Sequence, residues 1–200
     1  MGVSVRVPDR AVVRSLRIRP SDGSVGAQFA LVGFPLIVAA SLAAALVIGD
    51  APLPAALTAG AMVPAAVVDI REHRLPDRWV GFAGAVLAAT TFAAWALAQP
   101  VDVSSSTVGV LVMTAPILAL HLVSPGSMGF GDVKAAVVLG AAIGAADWRL
   151  ALVALTLASG LGAAVGIAGR RRTIAFGPCL VLATSIALAG TASIWTGVAP

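Results

Sequence analysis

The sequence predicts an all-α fold, a polytopic membrane bundle of about seven transmembrane helices. Hydrophobic residues make up 59% of the 200 residues and charged residues only 11%, whereas soluble domains hold roughly 45–50% and 25%. The mean hydropathy is +0.99, and short charged clusters separate long runs of Ala, Val, Leu and Gly. Each membrane crossing takes about 20 mostly apolar residues, so the pattern indicates repeated crossings.

Seven apolar segments can be placed by their length and by the residues that break them. They are residues 29–48, 53–68, 79–97, 107–123, 133–148, 150–168 and 174–196. Two of them, 53–68 and 133–148, are short, so the expected number of spans ranges from six to eight. Residues 1–28 form an Arg-rich cytoplasmic tail without the apolar core of a signal peptide, and residues 29–200 form one membrane domain.

The distribution of positive charge predicts a cytoplasmic N-terminus. With alternating spans, twelve of the thirteen Lys and Arg residues fall on the inner side, and only Arg149 falls outside. The inner cations are Arg6, Arg10, Arg14, Arg17, Arg19, Arg71, Arg74, Arg78, Lys134, Arg170, Arg171 and Arg172. This distribution explains the net charge of +4 without nucleic-acid binding. The same cations are expected to contact anionic membrane lipid.

Cysteine and histidine usage gives no sign of a metal site. Cys179 is the only cysteine, which excludes an intramolecular disulfide and a cysteine-based zinc site. His73 and His121 both fall near the predicted inner side, but two isolated histidines supply no metal geometry. We therefore expect neither a metal nor a cofactor.

Asp69 and Asp132 are the candidate catalytic residues. Asp69 directly follows the apolar run 63–68, and Asp132 opens the run that begins at Val133, so the predicted topology puts both at the cytoplasmic boundary. An aspartate at the centre of a membrane helix costs about 2.5–3.5 kcal/mol, and such residues are usually functional. Two carboxyl groups a few ångströms apart do not readily both ionise. One ionised and one protonated carboxyl group can activate water for peptide cleavage, as in an aspartic peptidase.

Simpler interpretations exist for each acid. Asp132 could be the N-cap of a helix that begins at Val133, and Asp69 could pair with Arg71 or Arg74 at the interface. Asp77 is the second choice for the partner acid, although its position suits a cap of the third span equally well.

The residues around Asp132 are glycine-rich and basic. Gly129 and Gly131 are expected to permit positive φ and close approach of an extended segment to a substrate. The start of a helix at Asp132 is expected to favour the ionised form of its carboxyl group. Lys134 either orients substrate and tunes the acid pair, or is an interfacial lysine that reaches for water.

Three ordered motifs within residues 53–188 together resemble the type IV prepilin peptidases and related GxGD-type membrane aspartic proteases. In the first, Asp69 is followed eight residues later by Asp77 in a Leu75-Pro76-Asp77 turn. The second is GFGDVK at residues 129–134, which matches GxGD followed by Val-Lys. The third is AFGP at residues 175–178, similar to a Pro-Phe-Gly-Pro element that opens a late span, with Ala175 in place of the first proline.

The resemblance implies an aspartic endopeptidase that removes basic leader peptides from prepilins or pseudopilins at the cytoplasmic face of the inner membrane, in pilus assembly or protein secretion. It implies catalysis by Asp69 and Asp132 without a cofactor. The motif or substrate-positioning residues are Gly129, Gly131, Lys134, Leu75, Pro76, Asp77, Gly177 and Pro178, of which Gly177 and Pro178 are expected to shape the seventh span rather than to touch the chemistry.

Longer members of the family carry an N-terminal domain with paired Cys-x-x-Cys motifs and methylate the trimmed pilin. This sequence has no such motif, so methyltransferase activity is not expected. In this respect it is similar to the short peptidases of tight-adherence pilus systems and to archaeal preflagellin peptidases.

Two other functions are consistent with the same residues. One is a GxGD protease that cuts other transmembrane substrates, in the manner of presenilin-like or signal-peptide peptidases. The other is a non-enzymatic transporter or assembly subunit, because intramembrane acids also serve proton relays. The location of the cut in the substrate separates the first from a leader peptidase, and the sequence makes no prediction of oligomeric state.

Overall fold

The computed structural model describes residues 33–48, 53–124, 128–169 and 175–190, and the regular secondary structure of these residues is helical. The helices in chain order are α1 (Phe34–Ile48), α2 (Leu53–Ala61), α3 (Val63–Glu72), α4 (Asp77–Ala96), α5 (Val103–Val123), α6 (Phe130–Gly144), α7 (Trp148–Gly169) and α8 (Phe176–Ala189). The predicted tail at residues 1–28, the cations Arg170 to Arg172 and the end of the seventh predicted span lie outside the described residues.

Helices α2 and α3 follow each other as one apolar stretch of 20 residues, Leu53–Glu72. Pro64 lies in the first turn of α3, where a residue without an N–H group is tolerated. The N–H group of Met62 donates to the carbonyl oxygens of Thr58 and Ala59, at 3.1 and 3.2 Å, and so links the two segments. The predicted span 53–68 therefore continues to Glu72, which places Asp69 within the last turn and a half of the helix.

The apolar helices confirm the prediction of a helical membrane protein. Four stretches are long and apolar enough to cross a membrane, namely Leu53–Glu72, Asp77–Ala96, Val103–Val123 and Trp148–Ala168. Helix α4 leaves Phe82, Phe92 and Trp95 more than half exposed, as expected for side chains that face lipid. The number of crossings and their direction stay predictions.

Helix α8 lies at the centre of the described bundle. It contacts α1, α2, α3, α6 and α7, and ten of its fourteen residues are buried. Both α3 and α6 pack against α8, but no Cα atom of α3 lies within 8 Å of a Cα atom of α6. Helix α8 is therefore one of three helices, with α2 and α4, that contact both helices carrying the candidate acids.

Helices α5 and α6 pack closely in an antiparallel pair. A Cβ atom on Gly109 would lie 2.6 Å from the carbonyl oxygen of Gly140 and 2.6 Å from the Cα atom of Gly144, so the backbones meet where side chains are absent. The hydroxyl group of Ser105 donates to the carbonyl oxygen of Gly144 at 2.6 Å, and that of Ser106 donates to Ala141 at 2.9 Å. These contacts set the position of α6 along α5, and with it the height at which α6 begins.

The start of α6 differs from the prediction. The helix begins at Phe130 and ends at Gly144, whereas the apolar pattern predicted a span at 133–148. The apolar pattern did not predict the first residues of this helix because a span was expected to begin with an unbroken apolar run, and Asp132 and Lys134 interrupt that run. Asp132 is consequently the third residue of a helix and not the residue before one.

Candidate active site

Asp69 is bound by the first turn of α8. Its side chain is only 4% exposed, and its Oδ2 atom accepts a hydrogen bond from the backbone N–H of Gly177, with an N···O distance of 3.2 Å. The first N–H groups of a helix lack partners within the helix and carry partial positive charge, so they stabilise a carboxylate. The expectation that Gly177 only shapes its span is therefore wrong, because Gly177 touches the acid. Pro178 is buried beside it.

The turn after α3 begins at His73 and leads the chain past the candidate site to α4. His73 adopts a left-handed conformation at φ 52° as the C-cap, and its N–H donates to the carbonyl oxygen of Asp69 at 2.9 Å. This ends the helix one turn after the acid. The chain then passes Leu75 to Pro76, which is the N-cap of α4, and Leu75 lies against Gly131 and Gly177, the glycines next to the two acids.

Asp132 lies in the first turn of α6 and is only 8% exposed. Gly129 is the N-cap residue, and its carbonyl oxygen accepts from the N–H of Asp132 at 3.1 Å. The Asp132 carboxyl group in turn forms a hydrogen bond with the Gly129 backbone. This return bond from the third helical residue to the N-cap is the one seen in a capping box, so the interpretation of Asp132 as the N-cap itself is wrong.

The structure brings Asp69 and Asp132 together at one end of the bundle. Their carboxyl groups lie close enough to interact electrostatically, although their Cα atoms are more than 8 Å apart. The buried thiol of Cys179 interacts electrostatically with both. Among the described residues, the Oδ1 atom of Asp132 is buried without a hydrogen-bond partner. Two carboxyl groups in one poorly solvated space favour a state in which one of them keeps its proton.

Leu75 occupies the space that the motif glycines leave open. A Cβ atom on Gly131 would lie 2.9 Å from the Cβ atom of Leu75, and one on Gly177 would lie 2.6 Å from its Cδ1 atom and 2.9 Å from Oδ2 of Asp69. Close approach thus explains both glycines. The expectation of positive φ is wrong, since no described glycine has one, and the neighbour is a residue of the same chain.

Asp77 lies outside the buried pair. It is the first residue of α4, and Pro76 before it is the N-cap, so the interpretation of Asp77 as the cap of this helix is wrong. Its Oδ1 atom instead pairs with the ammonium group of Lys134 at 2.8 Å, with the two side chains 72% and 41% exposed. Lys134 also lies over the ring of Phe130, 5.4 Å from its centroid. Lys134 is therefore not simply an interfacial lysine directed to water.

The simple pairing of Asp69 with neighbouring arginines is not seen. Within the described ranges Asp69 forms no ion pair with Arg71 or Arg74, and both arginines are exposed. The described part of the chain also holds no group of three or more His, Cys, Asp or Glu side chains that could bind a metal ion.

His121 is a site residue that the sequence did not reveal. Its Nδ1 atom lies 2.9 Å from the carbonyl oxygen of Met128, and its ring packs at 5.6 Å from the ring of Phe130. His121 thereby contacts the segment that leads into Asp132. The sequence shows only that His121 precedes Met128 by seven residues. This spacing does not predict a contact, because the chain must turn back after the end of α5 to form it.

The fold and the site define a helical membrane protein with a buried pair of carboxyl groups at one end of its bundle. The family model described as the type IV leader peptidase family matches residues 55–167, more than half of the chain, so the protein belongs to this family. This confirms the resemblance and indicates a protease. The matched range contains Asp69 and Asp132 but ends before α8 and its AFGP motif. No curated protein and no solved structure is significantly similar to the chain.

Proposed function

We propose that the protein is an aspartic endopeptidase that removes basic leader peptides from prepilins or pseudopilins, with Asp69 and Asp132 as the catalytic pair. One observation carries the proposal: in a member of the type IV leader peptidase family, two acids from separate motifs share one buried site. Burial of acids is costly unless they are used or paired, and neither acid forms an ion pair among the described residues.

The mechanism follows if the carboxyl groups of Asp69 and Asp132 share one proton, so that one is ionised and the other protonated. The ionised carboxylate removes a proton from a water molecule as its oxygen attacks the carbonyl carbon of the peptide, and the protonated carboxyl group donates to the carbonyl oxygen. The tetrahedral intermediate then collapses. The C–N bond breaks, the leaving amine takes up a proton, and the pair returns to its starting charge. The products are a free leader carboxylate and a new N-terminal amine.

The charge distribution supports cleavage at the cytoplasmic face. Arg71, Arg74 and Lys134 lie at the end of the bundle that holds the acids, since they flank Asp69 and Asp132 in α3, α6 and the turn after α3. Arg149 lies at the opposite end, where the backbone N–H of Trp148 contacts Ser105 near the start of α5. Cations accumulate on the cytoplasmic side of membrane proteins, which supports a cytoplasmic position for the acids. A basic leader in the cytoplasm can then reach them while the rest of the substrate stays in the membrane.

The test is co-expression with a pilin-like precursor that carries a short basic leader, followed by mass spectrometry of its N-terminus. Wild-type protein should produce one new N-terminus between the leader and the apolar segment. D69N and D132N should each abolish this product, since each removes a carboxyl group and leaves the side-chain shape. D147N is the matched control, because Asp147 lies at the opposite end of the bundle, beside Arg149, and this variant should cleave normally.

D77N separates the two choices for the partner of Asp132. Asp77 is largely exposed and paired with Lys134, so D77N should reduce cleavage without abolishing it. Loss of cleavage in D77N together with retained cleavage in D69N would contradict the assignment.

The same measurements separate the alternative functions. A cut deep within an apolar substrate helix would favour a GxGD protease of other substrates. Proton-dependent transport that needs only one of the two acids would favour a transporter. The family match favours leader peptidase activity over both.

A further inference from the structure

A single peptide group connects His121 to Asp132. The carbonyl oxygen of Met128 lies 2.9 Å from the Nδ1 atom of His121. The N–H of the same peptide group belongs to Gly129, whose backbone lies against the Asp132 carboxyl group. The Oδ2 atom of Asp132 is 3.8 Å from the position that a Cβ atom on Gly129 would take, within reach of a hydrogen bond from the Gly129 N–H. The two ends of one rigid amide plane therefore contact an imidazole on α5 and the carboxyl group on α6.

The contact defines which nitrogen of His121 carries the proton. A carbonyl oxygen can only accept, so Nδ1 must donate, whether the ring is neutral or positively charged. Donation to the carbonyl oxygen polarises the amide and makes its N–H a stronger donor, because linked hydrogen bonds reinforce one another. The effect of His121 thus passes directly to the bond that Asp132 receives.

Asp132 depends heavily on that bond. Its Oδ1 atom has no hydrogen-bond partner among the described residues, and the contact with Gly129 orients the carboxyl group. Gly129 has no side chain to fix its amide plane. Met128 packs against the hydrophobic core and Gly131 lies against Leu75, while His121 supplies a hydrogen bond to the Met128 carbonyl oxygen and a ring contact with Phe130.

We propose that His121 is a positioning residue, which holds the Met128–Gly129 peptide group so that its N–H stays directed at the Asp132 carboxyl group. The inference rests on the proposed function, because it gives His121 a part in the reaction of the acid pair. His121 does not itself touch the reacting atoms.

Two variants separate the hydrogen bond from the ring contact. Asparagine carries an N–H donor at the position of Nδ1, so H121N keeps the bond and loses the ring. Leucine has nearly the same shape as asparagine without a donor, so H121L loses both. H121F keeps a ring against Phe130 and loses the donor. The assay uses purified protein and a synthetic peptide that reproduces the cut identified by mass spectrometry, with D132N as the inactive reference.

The proposal predicts that H121F and H121L lower kcat about tenfold, the size expected for the loss of one positioning hydrogen bond, with KM little changed. H121N should remain within about threefold of wild type. The pH–rate profile should move in H121F and H121L but not in H121N, since only the first two alter the donor to Asp132. If H121F does not fold, the pair H121N and H121L carries the same comparison at matched size.

Three outcomes would overturn the inference: equal activity of H121L and wild type, equal loss in H121N and H121L, or activity preserved by H121F and lost in H121N. The last result would make His121 a packing residue for Phe130. Failure of the proposed function would look different, since D132N would then retain cleavage or the wild type would have none.

Discussion

The ammonium group of Lys134 lies 2.8 Å from the carboxylate of Asp77, and this ion pair joins the fifth residue of α6 to the first residue of α4 near the buried acids. The lysine of the GFGDVK motif and the aspartate of the Leu75-Pro76-Asp77 turn are thus partners in space. Lys134 is thereby directed to an exposed carboxylate and not to Asp132.

We expect the loss of this ion pair to have a small effect on stability. Both side chains are substantially exposed, and exposed ion pairs contribute about 0–1 kcal/mol. K134M and D77N should each lower the free energy of unfolding by less than about 1 kcal/mol, measured by denaturant titration in detergent micelles. The double variant should be no less stable than either single variant, because each removes the same contact. Additive losses would show that the two residues act separately.

Replacement of Gly177 by alanine should impair catalysis. The new methyl group would meet Leu75 at 2.6 Å and the Asp69 carboxylate at 2.9 Å, so Asp69 must move. A displacement of about 1 Å at a reacting group can cost about a hundredfold in rate, and we expect a loss of this size in kcat for G177A.

Gly160 supplies the matched control for G177A. A Cβ atom on Gly160 meets nothing within 4 Å, so G160A should keep full activity. In G177A/L75A the clash with Leu75 is relieved but the contact with Asp69 remains, so stability should recover more than kcat. Full activity of G177A would contradict the described position of Asp69.

Alanine at Gly109 or Gly140 should destabilise the protein without direct contact with the acids. A Cβ atom on Gly140 would lie 2.8 Å from the carbonyl oxygen of Gly109, and backbone atoms cannot rotate away as side chains do. Overpacking of this kind costs about 1–3 kcal/mol, which thermal unfolding should detect. G81A is the control, because nothing lies within 4 Å of its new methyl group, and it should be neutral or slightly stabilising.

The start of α5 should make stability depend on acidic pH. The hydroxyl group of Ser104 and then the N–H of Ser105 donate to Asp102 and hold the pKa of its carboxyl group below the ordinary value. The unfolded chain then binds the proton more tightly than the folded protein. The contribution of Asp102 to stability is therefore present above its unfolded pKa and is lost as pH falls through the lower folded value.

Comparison of D102N with the wild type tests this pH dependence. Asparagine also caps helices but does not titrate, so the difference in Tm between the two proteins should shrink as pH falls from about 6 to about 3. A constant difference across this range would show that the Asp102 contacts do not stabilise its ionised form.

The sequence predicted the features that depend on local composition. Apolar length predicted a helical membrane protein, and the motifs placed Asp69 and Asp132 at helix ends on the same side. The prediction of a helical membrane protein succeeds because hydrophobic length acts on each segment independently. The structure brings both acids to one end of the bundle, whereas their side of the membrane stays a prediction. The first turn of α6 was not predicted because Asp132 interrupts the apolar pattern there. The groups that contact Asp132 and Lys134, namely the Gly129 backbone and the Asp77 carboxylate, cannot be recognised from that pattern.

The contacts between helices could not be predicted. Gly177 lies 108 residues from Asp69, and nothing in either segment specifies that an N–H of one meets a carboxylate of the other. Likewise, the sequence indicated that Gly129 and Gly131 matter but gave the wrong reason, because the need for space at Gly131 arises only once Leu75 is placed beside it. His121 has no neighbouring residue that marks its contact with Met128.

The central position of α8 bears on the smallest unit able to work as an enzyme. Helices α3 and α6 each supply an acid, but none of their Cα atoms lie within 8 Å of each other, and α8, which supplies neither acid, packs against both. A fragment that ends at residue 167, where the family match ends, would retain Asp69 and Asp132 and lose α8. Such a fragment should insert into membranes and remain inert.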